Sequence, residues 1–192
     1  VSFSGRELNE AQFHRCRFVR CDFRGARLVE VNTLSSVFDQ CQFFGAQLNS
    51  SHHEGSAFLN CSFRAASLFG AVFLNCKLTG SGFDEANLAG VRIQGGDWSY
   101  TNLRLHDLRG QDLRRVRFTE ADLYRCNLEK ADLRDADLHR ANMAGTKLWG
   151  ADLRGARLEG VDLKSLELKG VKLDVTQALQ FALAHGILLE GE

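Results

Sequence analysis

The fold is decided by residues 121–158, which read ADLYRCNLEKADLRDADLHRANMAGTKLWGADLRGARL. A small residue, usually Ala, stands at every fifth place, and Leu or Met usually follows two places later. An α-helix turns about 100° per residue, so a five-residue repeat would wind its apolar side chains around the helix. A flat strand would send successive Leu side chains to opposite faces, because five is an odd number. The repeat therefore predicts a chain that turns a corner every five residues, with the small residue and the Leu both pointing inward.

The same register runs through almost the whole chain. If the Leu or Phe position is called the centre of each repeat, centres fall at every fifth residue from Phe3 to Leu173, which makes 35 repeats. Only Thr33 and His53 lack a large apolar side chain at a centre. Self-similarity at a fixed short period is typical of a solenoid, whose units bury a core only by stacking on one another.

A longer period of twenty residues gives the number of corners in one coil. Leu occupies every twentieth centre from Leu8 to Leu168, and the column that begins at Phe3 holds Phe as far as Phe83. Four repeats therefore make one coil, and the predicted fold is an all-β solenoid with four flat faces. Coils stacked at strand spacing, about 4.8 Å, would form a rod about 40 Å long.

The composition agrees with such a rod. The chain has no Pro, as expected if nearly every backbone N–H pairs with a neighbouring coil. Of the 18 Gly residues, 14 lie two residues after a centre, where a corner with φ > 0 would favour Gly. The six Cys residues all occupy the small inward place and show no metal-ligand spacing, so we interpret them as buried filler.

Several classes of function are disfavoured. The sequence shows no signal peptide or membrane-spanning stretch, so we expect a cytoplasmic protein without a membrane partner. No nucleophile is gathered with a base and a packed solenoid offers no cleft, so we expect no enzyme activity, cofactor or metal. His53 should face inward and His52 outward, which favours a local bulge or a hydrogen-bonded His53 over a zinc site. Six Arg residues lie within residues 1–28, but without interleaved aromatic side chains outside we expect no direct nucleic-acid binding.

The outward places of residues 29–74 are unusually apolar, and two interpretations remain open. Scattered apolar groups are ordinary on protein surfaces, whereas a contiguous patch would mark a partner surface. The second interpretation predicts a structural or scaffold rod that binds another protein around Phe44, Phe69 and Leu74. The apolar set comprises Val29, Leu34, Val37, Phe44, Leu59, Phe69, Val72 and Leu74.

The segment from Gly95 to Trp98 separates a Phe-rich half of the chain from a Leu-rich half. Trp98 still holds a centre position, so we expect the rod to continue through this segment. Either the rod bends here or only the size of the core side chains changes between the two halves, and we favour the second interpretation.

Beyond this segment the outward places become charged in an ordered way. Asp-Leu-Arg recurs at residues 112–114, 132–134 and 152–154, which stacks three Asp in one column and three Arg in a neighbouring column of one face. Either the repeat favours Asp before Leu for backbone hydrogen bonding, or the carboxylates form a row that another protein takes for the phosphates of DNA. Residues 97–192 hold 15 Lys and Arg against 16 Asp and Glu, so such a mimic would depend on how charge is sorted over the faces. The candidate interaction residues are Asp97, Asp112, Asp122, Asp132, Asp137, Asp152, Asp162, Arg114, Arg134 and Arg154.

The repeat register ends at Leu173, and a helical pattern follows. Asp174 is a helix N-cap with Gln177 in the capping-box position, and Gly186 ends a helix predicted over residues 175–185. The chain thus divides into a solenoid over residues 1–173 and a C-terminal helix and tail over residues 174–192. Because an open solenoid end exposes core and strand edges, this helix either caps the rod or both caps it and joins two copies. The candidate dimer interface comprises Val175, Ala178, Leu179, Phe181, Ala182, Leu183, Ile187 and Leu188, with Leu189 continuing the apolar run.

The A(D/N)LXX repeats resemble the pentapeptide-repeat family, whose fold is a right-handed quadrilateral β-helix. Residues 173–191, LDVTQALQFALAHGILLEG, and residues 52–63, HHEGSAFLNCSF, are similar to the mycobacterial and Qnr fluoroquinolone-resistance members of that family. The resemblance implies a non-enzymatic rod with about the girth of duplex DNA that is a homodimer through its C-terminal segment.

The same resemblance implies DNA gyrase as the partner, with the ATPase region of the B subunit as the contact. It also implies that the protein acts as a DNA mimic, inhibits the topoisomerase and confers fluoroquinolone resistance. Family members are often markedly acidic, whereas this chain is formally neutral. The chain has no inserted loop of the kind some Qnr proteins carry, so contact through such a loop is not expected.

Overall fold

Each coil of the chain takes twenty residues, as the sequence period predicts. In the computed structural model, which describes residues 1–188, parallel bridges run from Ser2↔Asp22 to Asp152↔Lys172, always at a separation of twenty residues. The ladders of bridges form four faces, which we number I to IV from their first residues, Ser2, Glu7, Gln12 and Arg17. The predicted all-β solenoid with four faces is confirmed.

Faces III and IV contain strands of three residues each. The order on face III is β1-β3-β5-β7-β8 and on face IV β2-β4-β6, and all pairs are parallel. The strands are Gln12–His14 (β1), Arg17–Val19 (β2), Asn32–Leu34 (β3), Val37–Asp39 (β4), His52–Glu54 (β5), Ala57–Leu59 (β6), Val72–Leu74 (β7) and Arg92–Gln94 (β8). Isolated bridges hold faces I and II and the C-terminal half of the rod.

Left-handed backbone makes the corners. The φ angle lies between 50° and 79° at every fifth residue from Gly5 to Gly170, with the exception of Ser165. Gly fills 14 of these positions, as expected, but residues such as Glu10 and Arg15 fill the other 19. A side chain at φ > 0 costs about 1 kcal/mol, and a ladder bond such as Glu10 N–H to Val29 O at 2.8 Å offsets that cost.

Centres and small inward residues fill the interior. Every centre from Phe23 to Leu158 is buried, including Trp98. In the N-terminal half the Phe rings stack coil on coil, as in Phe38 and Phe58, whose centroids lie 4.7 Å apart with planes 4° from parallel. All six Cys are free and five of them are buried, which agrees with their interpretation as filler.

Thr33 and His53 continue the ladder without a bulge, because β3 and β5 pair in register. Thr33 Oγ1 lies 2.9 Å from His53 Nδ1, and Ser51 Oγ lies 2.9 Å from His53 Nε2. Burial lowers the pKa of His53 to about 3, so the ring is neutral at physiological pH. Of the two alternatives, the structure contains the hydrogen-bonded histidine.

The ladder opens in the middle of the rod. The coil that contains Trp98 is bridged to the following coil on face I through Gly82↔Asn102 and on face IV through Asp97↔Arg117. In the part of the chain that the structure describes, no bridge joins the same two coils on faces II and III. The opening lies beside residues 95–98, where the core changes from Phe-rich to Leu-rich.

Two long side chains cause this opening. His106 and Gln111 stand at the inward place that a small residue such as Ala, Cys or Ser usually fills. Their Nε2 atoms donate to the carbonyls of Phe83 and Val91, each at 2.8 Å. At the equivalent place Ser81 Oγ reaches the Phe58 carbonyl with a shorter side chain, also at 2.8 Å. The longer side chains therefore hold the two coils apart on two faces.

The last coil leaves the ladder on faces I and II. Leu163–Ser165 forms a short 3₁₀ helix where the sequence register continues, and Asp162 accepts a hydrogen bond from Lys164 N–H at its start. Leu166 is another large residue at the small inward place, which explains why the chain does not fold as a regular repeat here. Face III continues to Lys172.

The C-terminal helix α1 runs Val175–Ala184, and the predicted capping box is present. The Asp174 carboxylate accepts the Gln177 N–H at 2.9 Å, and Gln177 Oε1 accepts the Asp174 N–H at 3.0 Å. Gln177 Nε2 also donates to the carbonyls of Leu153 and Ala156, at 2.6 and 2.8 Å. The helix therefore caps the last regular coil. Residues 189–192, and with them Leu189, lie outside the described residues.

Candidate functional site

The structure distributes the predicted interaction residues over three faces. Asp97 and Asp137 lie on face IV and Asp122 lies on face I, whereas Asp162 is the N-cap of the 3₁₀ helix. Face III alone brings three of the predicted carboxylates into one column. The predicted interaction residues on face III are Asp112, Arg114, Asp132, Arg134, Asp152 and Arg154.

Each carboxylate of this column is bound by the Arg two residues later. Arg114 Nε donates to Asp112 Oδ1 at 2.7 Å, and Arg114 Nη2 donates to Oδ2 at 2.6 Å. Asp132 and Asp152 hold Arg134 and Arg154 through the same pair of bonds, at 2.9 and 2.6 Å. Each Asp also accepts the backbone N–H of that Arg, at 3.2 or 3.3 Å. Backbone hydrogen bonding is thus one reason for Asp before Leu.

Weaker contacts link these pairs from coil to coil. Arg114 Nε lies 3.7 Å from Asp132 Oδ2, and Arg134 Nε lies 4.0 Å from Asp152 Oδ2. Within each local pair, hydrogen bonds from Arg134 and Arg154 lower the pKa of Asp132 and Asp152, and the Asp132 carboxylate raises the pKa of Arg134. Face III is therefore a ladder of alternating charges, and its carboxylates are not bare.

The remaining predicted carboxylates on faces I and IV are also paired. Arg104 lies 3.3 Å from Asp122, and Arg117 lies 3.4 Å from Asp97. On face IV the Arg157 guanidinium lies 3.8 Å from Asp137, which also accepts the Thr119 hydroxyl at 3.0 Å. The Asp–Arg pairs of face III form a continuous column, whereas those of faces I and IV are single pairs between coils.

The sequence analysis missed two pairs of the same local kind. Asp22 binds Arg24 on face I, and Asp107 binds Arg109 on face II. The signal for them was an Asp followed two residues later by Arg, which both pairs share with face III. Because neither pair has a second Asp–Arg pair of the same local kind on its face, they serve as controls for the column.

The outward-facing apolar side chains of the N-terminal half do not form one patch. Phe44 lies on face I and Phe69 on face II, and their exposed fractions are 49% and 55%. Leu34 and Leu74 belong to strands of face III, and Leu59 belongs to a strand of face IV. Since these groups are spread around the rod, the interpretation as scattered surface residues fits them better than a single partner surface.

The exposed side of α1 carries an apolar stripe. Val175, Leu179 and Leu183 stand four residues apart and are 77%, 44% and 58% exposed. Ala178 is exposed as well, Ala182 is half-buried, and Ile187 and Leu188 extend the exposed apolar surface. Phe181 differs from the other predicted interface residues, because it is buried against the rod as part of the cap.

Neither a metal cluster nor a membrane span is found in the described residues. Over residues 1–188, no group of three His, Cys, Asp or Glu side chains could hold a metal ion. No helix in this range has the length and apolar character needed to cross a membrane. Two open surface grooves of about 530 and 500 Å³ are lined mainly by charged and polar residues.

Comparison with protein families gives a match to pentapeptide repeats, in eight copies. The matched residues are 1–32, 58–95, 86–128, 101–140 and 131–174. Comparison with curated protein sequences gives no match.

Several solved structures have the same fold. HetL, a pentapeptide repeat protein involved in heterocyst differentiation regulation in the cyanobacterium Nostoc sp. strain PCC 7120, is 24% identical over 88% of both chains, with a TM-score of 0.55. A trypsin-treated form of QnrB1, a plasmid-mediated fluoroquinolone resistance protein, is 21% identical over 99% of this chain and 95% of its own, with a TM-score of 0.64. Full-length QnrB1 is 18% identical over 97% of both chains, with a TM-score of 0.60. At these identities the likeness concerns the fold.

Proposed function

This chain belongs to the pentapeptide-repeat family, and on that premise we propose that it binds DNA gyrase by presenting face III in place of a DNA duplex. Binding would modulate the activity of gyrase and protect it against fluoroquinolones. The ATPase region of the B subunit is the proposed contact. The fold it shares with QnrB1, a fluoroquinolone resistance protein, supports this choice of partner.

The observation that carries the proposal is the column of Asp112, Asp132 and Asp152. One DNA strand carries a phosphate charge about every 3.4 Å along the helix axis, and carboxylates one coil apart recur about every 4.8 Å. A surface that grips DNA with Lys and Arg therefore meets a comparable row of oxygen acceptors. The row is straight and rigid because its members are bridged backbone to backbone.

The Arg side chains on face III predict the direction in which substitutions should change the affinity for gyrase. Arg114, Arg134 and Arg154 occupy the carboxylate oxygens that a DNA-binding surface would need. If the carboxylates are recognised, the cationic groups of the partner compete with these three Arg side chains. Removal of the guanidinium groups should then strengthen binding, and removal of the carboxylates should weaken it.

Two triple variants test the predicted direction of the change in affinity. D112N/D132N/D152N should weaken binding to purified gyrase, and R114Q/R134Q/R154Q should strengthen it. Exposed ion pairs contribute up to about 1 kcal/mol each, so each triple change should alter Kd by about tenfold to a hundredfold. The control D22N/D107N removes carboxylates with the same local pairing on faces I and II, and should leave Kd unchanged.

Binding is measured on intact gyrase and on the isolated ATPase fragment of its B subunit. A supercoiling assay with and without a fluoroquinolone then reports inhibition and protection. If both triple variants bind as the unchanged protein does, face III is not the contact. If the unchanged protein does not bind gyrase at all, gyrase is not the partner.

We propose further that α1 joins two copies of the rod through its exposed stripe. Val175, Leu179 and Leu183 offer a continuous apolar strip, and a two-fold axis would let the same strip of two copies bury each other. L179E/L183E should give monomers in light scattering. The control Q180E adds charge to a neighbouring exposed position of the same helix and should leave the dimer intact, whereas a dimer that survives L179E/L183E would rule out this interface.

A further inference from the structure

The opening between two coils leaves backbone groups on face III without a partner. In the closed ladder the corner N–H bonds to the carbonyl nineteen residues later, as Gly45 N–H does with Arg64 O at 3.1 Å. The same rule pairs the Gly95 N–H with the carbonyl of Arg114. Across the described residues, however, neither Gly95 nor Ile93 has a backbone partner for its N–H on this side.

A groove of about 530 Å³ occupies this side of the opening. Its lining residues are Gln94, Gly95, Asp112, Arg114, Arg115, Arg134 and Asp135. Arg115 also lines an adjoining groove of about 300 Å³ that contains Gly96 and Lys77. The grooves exist because His106 and Gln111 keep the coils apart.

Three of the groups in the groove that remain free can donate hydrogen bonds, and the Asp135 carboxylate is the one free acidic group among them. Arg114 and Arg134 are each bound to a carboxylate two residues earlier, and Asp112 is occupied by Arg114. Arg115 makes only a long contact, 3.9 Å from Nε to Asp135 Oδ2, and its side chain is 83% exposed. The Gln94 side chain, which also lines the groove, makes no hydrogen bond within residues 1–188. A guanidinium, an amide and a backbone N–H thus line the same groove without a hydrogen-bond acceptor, and the nearest carboxylate to the guanidinium, Asp135, is 3.9 Å away.

We propose that this groove is a binding site for an oxyanion, a phosphate or carboxylate group, held by Arg115, Gln94 and the Gly95 N–H. Guanidinium and backbone N–H groups are strong donors to such anions, and hydrogen bonds to a charged acceptor are about twice as strong as neutral ones. The site does not depend on gyrase as a partner. It depends on the opening, because a closed ladder would direct the Gly95 N–H to a backbone carbonyl.

Titration with inorganic phosphate, and separately with acetate, tests the site through the amide resonance of Gly95 in a ¹⁵N–¹H spectrum. A saturable shift with at least one of the two anions is expected, and the anion that gives the tighter response identifies the oxyanion class. R115Q should weaken the response about tenfold or more, since a hydrogen bond to a charged group contributes about 1.5–3 kcal/mol.

R140Q is the matched control. Arg140 also occupies a corner position and lies 3.9 Å from the carboxylate of Glu120, but it stands in a closed part of the ladder. R140Q should leave the Gly95 response unchanged. An equal loss in R115Q and R140Q would mean that anions collect on the surface without a site, which would overturn the proposal.

A second variant tests the dependence on the opening. H106A/Q111A restores small residues at the inward place, so the ladder should close and amide exchange at Gly95 should slow. The anion response should disappear with it. An unchanged response in this variant, once its Gly95 amide exchanges slowly, would overturn the proposal, as would the lack of any response in the unchanged protein. If H106A/Q111A does not fold, the comparison of R115Q with R140Q decides the question.

Discussion

Replacing the buried Thr33–His53 pair should remove an acid-sensitive contribution to the stability of the rod. The double variant T33V/H53F places apolar side chains at both of these centres. His53 is 1% exposed, stacks on Phe73 with centroids 4.7 Å apart, and lies beside a void of only about 10 Å³. Such a site accepts the neutral ring and has no carboxylate to balance a proton.

The magnitude follows from the pKa of His53, which burial lowers from 6.5 to about 3. Below pH 6.5 the unfolded chain binds a proton at this residue and the folded chain does not, so stability is complete above pH 6.5 and falls with decreasing pH. The slope is about 1.4 kcal/mol per pH unit. Between pH 6.5 and pH 5 the unchanged protein should therefore lose about 2 kcal/mol at this site.

Urea denaturation followed by circular dichroism at pH 7, 6 and 5 measures this loss. The half-buried His106, whose pKa burial also lowers, is present in both proteins, so the difference between them isolates His53. The control H52Q removes the minor contribution of the His52 charge and should keep most of the pH dependence of the unchanged protein, because burial is the main cause of the lowered pKa. If the free-energy difference between the unchanged protein and T33V/H53F is the same at pH 7 and pH 5, the reasoning is refuted.

Two further predictions concern a close backbone contact and the helix cap. G96A should destabilise the rod by about 3 kcal/mol or more, because a Cβ on Gly96 would lie 2.1 Å from the Cys76 carbonyl oxygen. G110A meets nothing within 4 Å and should cost only about 1 kcal/mol in thermal unfolding; equal costs would contradict the contact. D174A removes the N-cap of α1 and should cost about 1 kcal/mol. It should also speed hydrogen exchange in the helix, most clearly at Gln177, while an unchanged exchange rate there would exclude a capping role.

Periodicity predicted most of the fold because one geometric rule repeats at every coil. The centres, the small inward places and the twenty-residue coil all follow from the apolar pattern, and Asp174 with Gln177 identifies the start of the helix. Corner residues were only partly predictable. Gly marks fourteen corners, but Glu10 and Arg15 adopt the same positive φ, since the ladder and not the residue type imposes it.

The departures from the rule were visible in the sequence but not recognised. His106, Gln111 and Leu166 are large residues at the small inward place, and the ladder opens or ends where they stand. The charged face was predicted as columns, and the columns are present. The local Asp–Arg bonds were not predicted, because the position of a long Arg side chain depends on which carboxylate it reaches, and the repeat period does not contain that information.

Because the core repeats every five residues and the faces repeat every twenty, an insertion can preserve the core and still change the surface. Phe38 lies closer to Phe58, twenty residues away, than to Phe43, five residues away: the ring centroids are 4.7 and 5.9 Å apart. Twenty inserted residues would lengthen the shaft and leave every side chain on its own face. Five inserted residues would preserve the inward pattern and move all later residues round by one quarter turn. Variants of this chain with identical interiors could therefore present their charged columns in different directions.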